Sequence, residues 1–185
     1  MQATRGTPLS STDPAAGDHP AAPTNHRLVF VLVAVAAYAV DLGTKLLAVD
    51  RLTGRRPVDV VGGLLRLDLV RNPGAAFSTG TSYTLLLSVI ALVAAGVVIR
   101  FGRRLGDRTW AVALGLLLAG VCGNLTDRVF RAPGVLRGHV VDFLELPHWP
   151  VFNVADMLID AAVILIIWQT WRGIGITGTR SERVS

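Results

Sequence analysis

The sequence predicts an all-α membrane protein: four transmembrane helices with a small extramembrane β segment between spans one and two. Three observations predict it. Of the 185 residues, 51% are hydrophobic and the mean hydropathy is +0.51, more apolar than a soluble domain of this size sustains. The apolar content is gathered into runs at 28–49, 83–99, 109–125 and 155–171, each near the ~20 residues that cross a bilayer core as a helix. Between the first two runs, Val58-Asp59-Val60-Val61, then Gly62-Gly63, then Leu65-Arg66-Leu67-Asp68-Leu69 alternate apolar and polar residues about a turn. That is the pattern of a β-hairpin, and its place between spans puts it at the membrane surface.

The first run starts too late and is too long for the h-region of a cleavable signal peptide, so it is a span. Residues 1–26 hold Pro8, Pro14, Pro20 and Pro23 among small polar residues and carry too few large apolar side chains to build a core; they are expected to be a disordered tail. The membrane domain covers 27–173, and 174–185 form a second tail. Trp110, Trp168 and Trp171 stand near run ends, where indole rings anchor in the headgroup zone. Cys122 has no second cysteine to pair with and reads as a small packed side chain.

Four spans put both termini on one side. The chain's 18 Lys and Arg divide evenly between the two sides, but the short connection at 100–108 concentrates Arg100, Arg103, Arg104 and Arg108. Short loops weigh most in the positive-inside rule, which places both termini in the cytoplasm. A formal charge of +5 raises nucleic acid as a partner, but these arginines are scattered between apolar runs without a continuous basic face, and nucleic-acid binding is excluded.

Ionisable groups in or beside spans are expensive, so their positions are informative. Asp41 and Lys45 lie near the end of span one, Asn72 follows in the next connection, Asn124, Asp127 and Arg128 close span three, Asp142 lies in the third loop, and Asn153 and Asp156 open span four. Topology brings all of these to one membrane face, opposite the termini. Asp41 and Lys45, four apart, share a helix face and can pair, either to neutralise each other or to support a site. Asn124, Asp127 and Arg128 read either as capping and anchoring groups or as site residues, with the Arg128 guanidinium suited to orienting carboxylates.

Asp142 sits within Val140-Val141-Asp142-Phe143-Leu144, apolar neighbours that raise a carboxyl pKa. Asp156 stands three residues after Asn153, the spacing of a reciprocal helix cap, and a helix N-terminus favours the ionised form. Capping and catalysis are compatible there. One acid kept neutral beside one kept charged is what an aspartyl dyad needs to activate water against a peptide bond.

Five strings carry a resemblance: Asp41-Leu42-Gly43-Thr44-Lys45, Arg71-Asn72-Pro73-Gly74-Ala75-Ala76-Phe77, Gly123-Asn124-Leu125-Thr126-Asp127-Arg128, His139-Val140-Val141-Asp142-Phe143 and Phe152-Asn153-Val154-Ala155-Asp156. Each alone is short. Together, in order and in register with four spans, they resemble the bacterial lipoprotein signal peptidase (signal peptidase II) family of membrane aspartyl peptidases. The resemblance implies cleavage of prolipoproteins just before a diacylglyceryl-modified cysteine, no cofactor and no metal, and inhibition by the cyclic peptide globomycin. It implies Asp142 and Asp156 as the catalytic pair. Asp41, Lys45, Asn72, Gly74, Asn124, Asp127, Arg128, Asn153 and Ala155 are implied as substrate-binding or supporting residues. The expected partners are those prolipoproteins and membrane lipids. The expected protein is a monomer in the bacterial cell (inner) membrane, with its active site near the extracytoplasmic face.

Three features depart from the family pattern. The stretch between Arg128 and Asp142, with Arg131-Ala132-Pro133-Gly134, is longer than that pattern calls for, Asp160 adds an acid one helical turn after Asp156, and the Pro-rich N-terminal tail is an extension. The rival readings are a proton-coupled transporter, which would set its acids near the bilayer midplane and in paired halves, and a structural subunit whose acids only cap or anchor. The clustering of acids at span ends on one face favours the peptidase.

Overall fold

The computed structural model of the protein describes residues 25–74 and 82–180. The expected disorder of the N-terminal tail up to residue 24, the end of the second string (Ala75-Ala76-Phe77) and residues 181–185 lie outside the described residues. Four helices, α1 (His26–Leu52), α2 (Ser82–Gly102), α3 (Arg108–Phe130) and α4 (Val154–Trp171), contain the four apolar runs, and each is long and apolar enough to cross a membrane. Side-chain oxygens cap three of them: Asn25 accepts from Leu28 N–H, Asp107 from Trp110 N–H and Asn153 from Asp156 N–H. Each cap satisfies a backbone donor that has no partner inside its helix.

Helix α3 is the centre of the bundle: it touches α1, α2 and α4 and is the most buried of the four. The cause is in its side chains. Ala111, Ala113, Gly115, Ala119, Gly120 and Gly123 are all buried, and small residues let neighbouring backbones approach where apolar bulk alone drives no association in lipid. A methyl group on Gly120 would stand 2.5 Å from the Ala155 carbonyl oxygen of α4, and one on Gly115 would stand 3.0 Å from that of Phe30 in α1. Away from these contacts the helices expose Val35, Leu46, Val93 and Ile164, as a lipid-facing surface requires.

The β segment is larger than expected. β1 (Val58–Val61) and β2 (Leu65–Asn72) form the hairpin between α1 and α2, and a third strand, β3 (Val140–Glu145), from between α3 and α4 pairs antiparallel with β2. Asp142, expected in a loop, is therefore on a strand opposite Val70, with Asn72 opposite Val140. The run of β-branched and aromatic residues about Asp142 is a strand signal in its own right. After β3 the chain turns back at Phe152, whose N–H and C=O bond Leu144 at 2.9 Å each way. This return delivers Asn153 and the start of α4 beside Asp142.

The stretch between Arg128 and Asp142, expected to be longer than the family pattern, is compact. Gly138 N–H donates to Arg128 O at 2.9 Å, His139 N–H to Ala132 O at 3.0 Å, and Ser88 Oγ on α2 to Leu136 O at 2.7 Å. At the other end of the bundle, residues expected to be tail fold onto the α2–α3 connection, where Gly106 N–H donates to Ile176 O and Trp110 Nε1 to Ile174 O at 2.9 Å. Trp110 is consequently 7% exposed, in a core with Phe30, Val98 and Leu114, and is not a headgroup anchor. Trp168 and Trp171 are exposed as expected.

Candidate active site

The end of α1, the end of α3, the start of α4 and strands β2 and β3 meet at one end of the bundle. All the predicted site residues lie there. Lys45 is the anchor of the inner layer, 1% exposed, and its ammonium contacts Asp41 Oδ2 at 3.0 Å and Asp127 Oδ2 at 3.1 Å. It also donates to Asn124 Oδ1 at 2.9 Å. The expected α1 ion pair thus exists and is part of a larger network. Asp41 Oδ1 accepts from Ala155 N–H at 2.8 Å, tying α1 to the first turn of α4. Asp127 Oδ2 accepts from Val141 N–H at 3.1 Å, tying α3 to β3. Its other oxygen pairs with Arg131 Nε.

The outer layer is the acid pair. Asp142 accepts from Asn72 Nδ2 at 2.8 Å on one oxygen and from Asn153 Nδ2 at 2.6 Å on the other. Asp156 accepts from Asn124 Nδ2 at 2.8 Å and from the Asn153 N–H at 3.1 Å, the latter completing the capping box. Asn153 therefore joins both acids. They also line one cavity of about 440 Å³, with Asn72, Asp160, Phe152, Trp149 and Met157 in its walls.

Three asparagine amides face these acids, and each is held with its NH₂ toward a carboxylate by a donor that has no alternative. Lys45 and main-chain N–H groups only donate. Asn124 must turn its oxygen to Lys45, Asn72 its oxygen to Gly74 N–H at 2.8 Å, and Asn153 its oxygen to Asp156 N–H at 3.2 Å. Gly74 reaches that position with a φ of +90°, a conformation glycine adopts without strain.

Burial pushes the Asp142 carboxyl above the ordinary aspartate range; the Asn72 and Asn153 hydrogen bonds oppose the rise and the charge of Asp156 adds to it. Arg128 lies within electrostatic range of Asp156 and Asp142, but it makes no bidentate contact with either. Its hydrogen bond among the described residues runs from Nη1 to Asn124 O at 3.4 Å. Sequence reasoning missed Arg131 as the second cation of the network, although its spacing of four from Asp127 is the signal that identified Asp41 and Lys45. It also missed the wall formed by Trp149 and Met157, which no periodicity marks. Among the described residues no group of His, Cys, Asp and Glu could hold a metal ion.

An acid whose carboxyl is raised by burial, beside a second carboxyl group in one cavity at the end of the bundle, is suited to hydrolysis of a peptide bond presented at that depth. Comparison with known proteins agrees. The signal peptidase (SPase) II family profile matches residues 33–172. The chain is 48% identical over 170 residues to a lipoprotein signal peptidase of Rhodococcus jostii (strain RHA1), covering 91% of this chain and 86% of that protein. It is 48% identical over 155 residues to the one named so in Streptomyces coelicolor (83% and 76% covered), and 48% identical over 164 residues to that of Mycobacterium tuberculosis H37Rv (86% and 81% covered). A solved bacterial membrane enzyme, determined at 1.9 Å by the in meso method, superposes with a TM-score of 0.68 at 28% identity, covering 76% of this chain and 91% of that one. A second, at 2.3 Å, gives 0.67 at 27% identity (83% and 93% covered). With four spans, a three-stranded sheet and five strings in register, the chain belongs to the signal peptidase II family of aspartic peptidases.

Proposed function

We propose that this peptidase releases signal peptides from prolipoproteins, cutting before a diacylglyceryl-modified cysteine, with Asp142 and Asp156 as its catalytic pair. The observation that carries this reading is the bridge through Asn153, which bonds Asp142 by its side chain and Asp156 by its backbone. Asp142, whose carboxyl is pushed up by burial, holds the shared proton. Asp156, held in the first turn of α4 by the Asn124 amide and the Asn153 N–H, is the base of the pair. Asp156 takes a proton from a water placed between the two acids, and the oxygen of that water attacks the scissile carbonyl. Asp142 hydrogen-bonds the developing oxyanion. The proton then passes to the cysteine nitrogen as the C–N bond breaks.

Asn72, Gly74, Asn124 and Asn153 hold the acids in place; Asp41, Lys45, Asp127 and Ala155 hold those holders; Arg128 supplies positive charge near both acids. The lipid-bearing cysteine and its apolar signal helix reach the cavity from the bilayer, and the sheet covers them. The chain works as a monomer in the bacterial inner membrane. Its termini are cytoplasmic, as the arginine-dense 100–108 connection favours, and its acids lie near the extracytoplasmic face. No cofactor is required, since water and two carboxyl groups complete the chemistry.

The test is cleavage of a diacylglyceryl-modified lipobox peptide by the reconstituted protein, comparing wild type with Asp142→Asn and Asp156→Asn. Each variant folds and neither turns over. Full cleavage by either removes the assignment, and proton flux without cleavage would favour transport.

A further inference from the structure

A signal peptide crosses the membrane as a helix, and inside a helix each carbonyl is bonded to the N–H four residues on. Before water can attack a carbonyl held that way, the residues around the cut must leave the helix, and each N–H released into an apolar groove needs a new partner. The cavity wall offers an acceptor the mechanism does not use. Asp160 lies four residues beyond Asp156 on α4, about 6 Å further along the helix axis, and lines the same cavity. α4 runs from the site into the bundle, so Asp160 is on the membrane side of the acids, where the uncut signal sequence still lies. Asp142 and Asp156 each accept two hydrogen bonds. Asp160, by contrast, is exposed and has no hydrogen bond or ion pair among the described residues.

Resting on the peptidase reading above, we infer that Asp160 is a substrate-positioning residue whose carboxyl group accepts a backbone N–H of the unwound signal peptide. The register follows from the geometry. An extended chain rises about 3.3 Å per residue, so a 6 Å offset corresponds to roughly two residues on the signal-peptide side of the scissile bond. The ligand is main chain, so the contact holds the strand straight without selecting a side chain. It is an interaction of binding, and its loss falls on KM more than on kcat.

The experiment uses the full-length protein and a set of diacylglyceryl lipopeptides. In each, one amide N–H among the four residues before the cut is replaced by an ester oxygen, which removes the donor and keeps the shape. In wild type, the ester about two residues from the cut raises KM about tenfold, the scale of one hydrogen bond to a charged acceptor. Asp160→Leu raises KM for the all-amide peptide by a similar factor and is indifferent to that ester. Asp160→Asn, which keeps an acceptor oxygen, stays sensitive to it. A Leu variant that loses the same factor on every peptide, with ester penalties unchanged from wild type, overturns the inference and makes Asp160 a structural residue. If wild type cuts none of the peptides, the peptidase reading itself fails and the inference falls with it.

Discussion

Replacing Lys45 with Met should be among the most damaging single changes in this protein that leave side-chain volume nearly constant. The buried network balances two acids, Asp41 and Asp127, against two bases, Lys45 and Arg131. Met fills the space of the Lys stem, so no cavity forms, and what is lost is one charge with its contacts at 3.0, 3.1 and 2.9 Å. Arg131 remains with Asp127, which leaves Asp41 buried without its cation. Removing one partner of a buried pair costs about 3–5 kcal/mol, roughly two to four orders of magnitude in the folding equilibrium. The double variant Lys45→Met/Asp41→Asn is neutral again, and an Asn oxygen can still accept from Ala155 N–H, so it should recover about half of the loss or more. Unfolding in mixed micelles, followed by tryptophan fluorescence, measures both. Activity of the single variant should fall as well, since Lys45 fixes which way the Asn124 amide faces Asp156. The reasoning is refuted if Lys45→Met lies within about 1 kcal/mol of wild type, below the range for a broken buried pair, or if the double variant is no more stable than the single.

Three further outcomes are expected. Asn72→Ala removes a donor that favours the charged form of Asp142, so Asp142 keeps its proton to higher pH; the high-pH limb of kcat/KM should move upward, and a limb that stays or moves down argues against Asp142 as the proton holder. Gly74→Ala forces a non-glycine residue to a φ of +90°, at a cost of about 1–3 kcal/mol; Leu87, which the new methyl meets, can swing aside, but the backbone cannot, and kcat/KM should fall as Asn72 loses its orientation. Gly120→Ala presses a methyl onto the Ala155 carbonyl oxygen and Ile159, and should destabilise the bundle by about 1–3 kcal/mol in the same unfolding assay, with the α3–α4 contact giving way first.

Much of this arrangement was legible in the chain. Four apolar runs gave the helices, since length and composition decide spanning. The i, i+4 spacing of Asp41 and Lys45 gave their pair, and the Asn153–Asp156 spacing gave the capping box. The expected single fates of Trp110 and Asp142 failed for one reason: each depends on a segment far away in sequence. Trp110 sits at a run end like any interfacial tryptophan, but the chain after α4 returns to cover it and accept its indole N–H. Asp142 lies among apolar neighbours, but whether they form a loop or a strand is decided by β2, which supplies the partner backbone.

The amide orientations were the least accessible feature, and they matter most for the chemistry. An asparagine in a motif announces both a donor and an acceptor, and nothing local says which end meets the acid. That choice is made by a third group. For Asn124 it is Lys45, 79 residues away, whose ammonium cannot accept. For Asn72 it is Gly74, whose N–H is brought within reach by a positive φ. For Asn153 it is the first turn of α4 itself. Each string in the sequence thus supplies either an acid, an amide or the donor that orients the amide. Only the fold shows which serves which: the buried ion network, though it touches neither acid of the pair, fixes through Lys45 how Asn124 meets Asp156, while Gly74 and the first turn of α4 fix the two amides that meet Asp142.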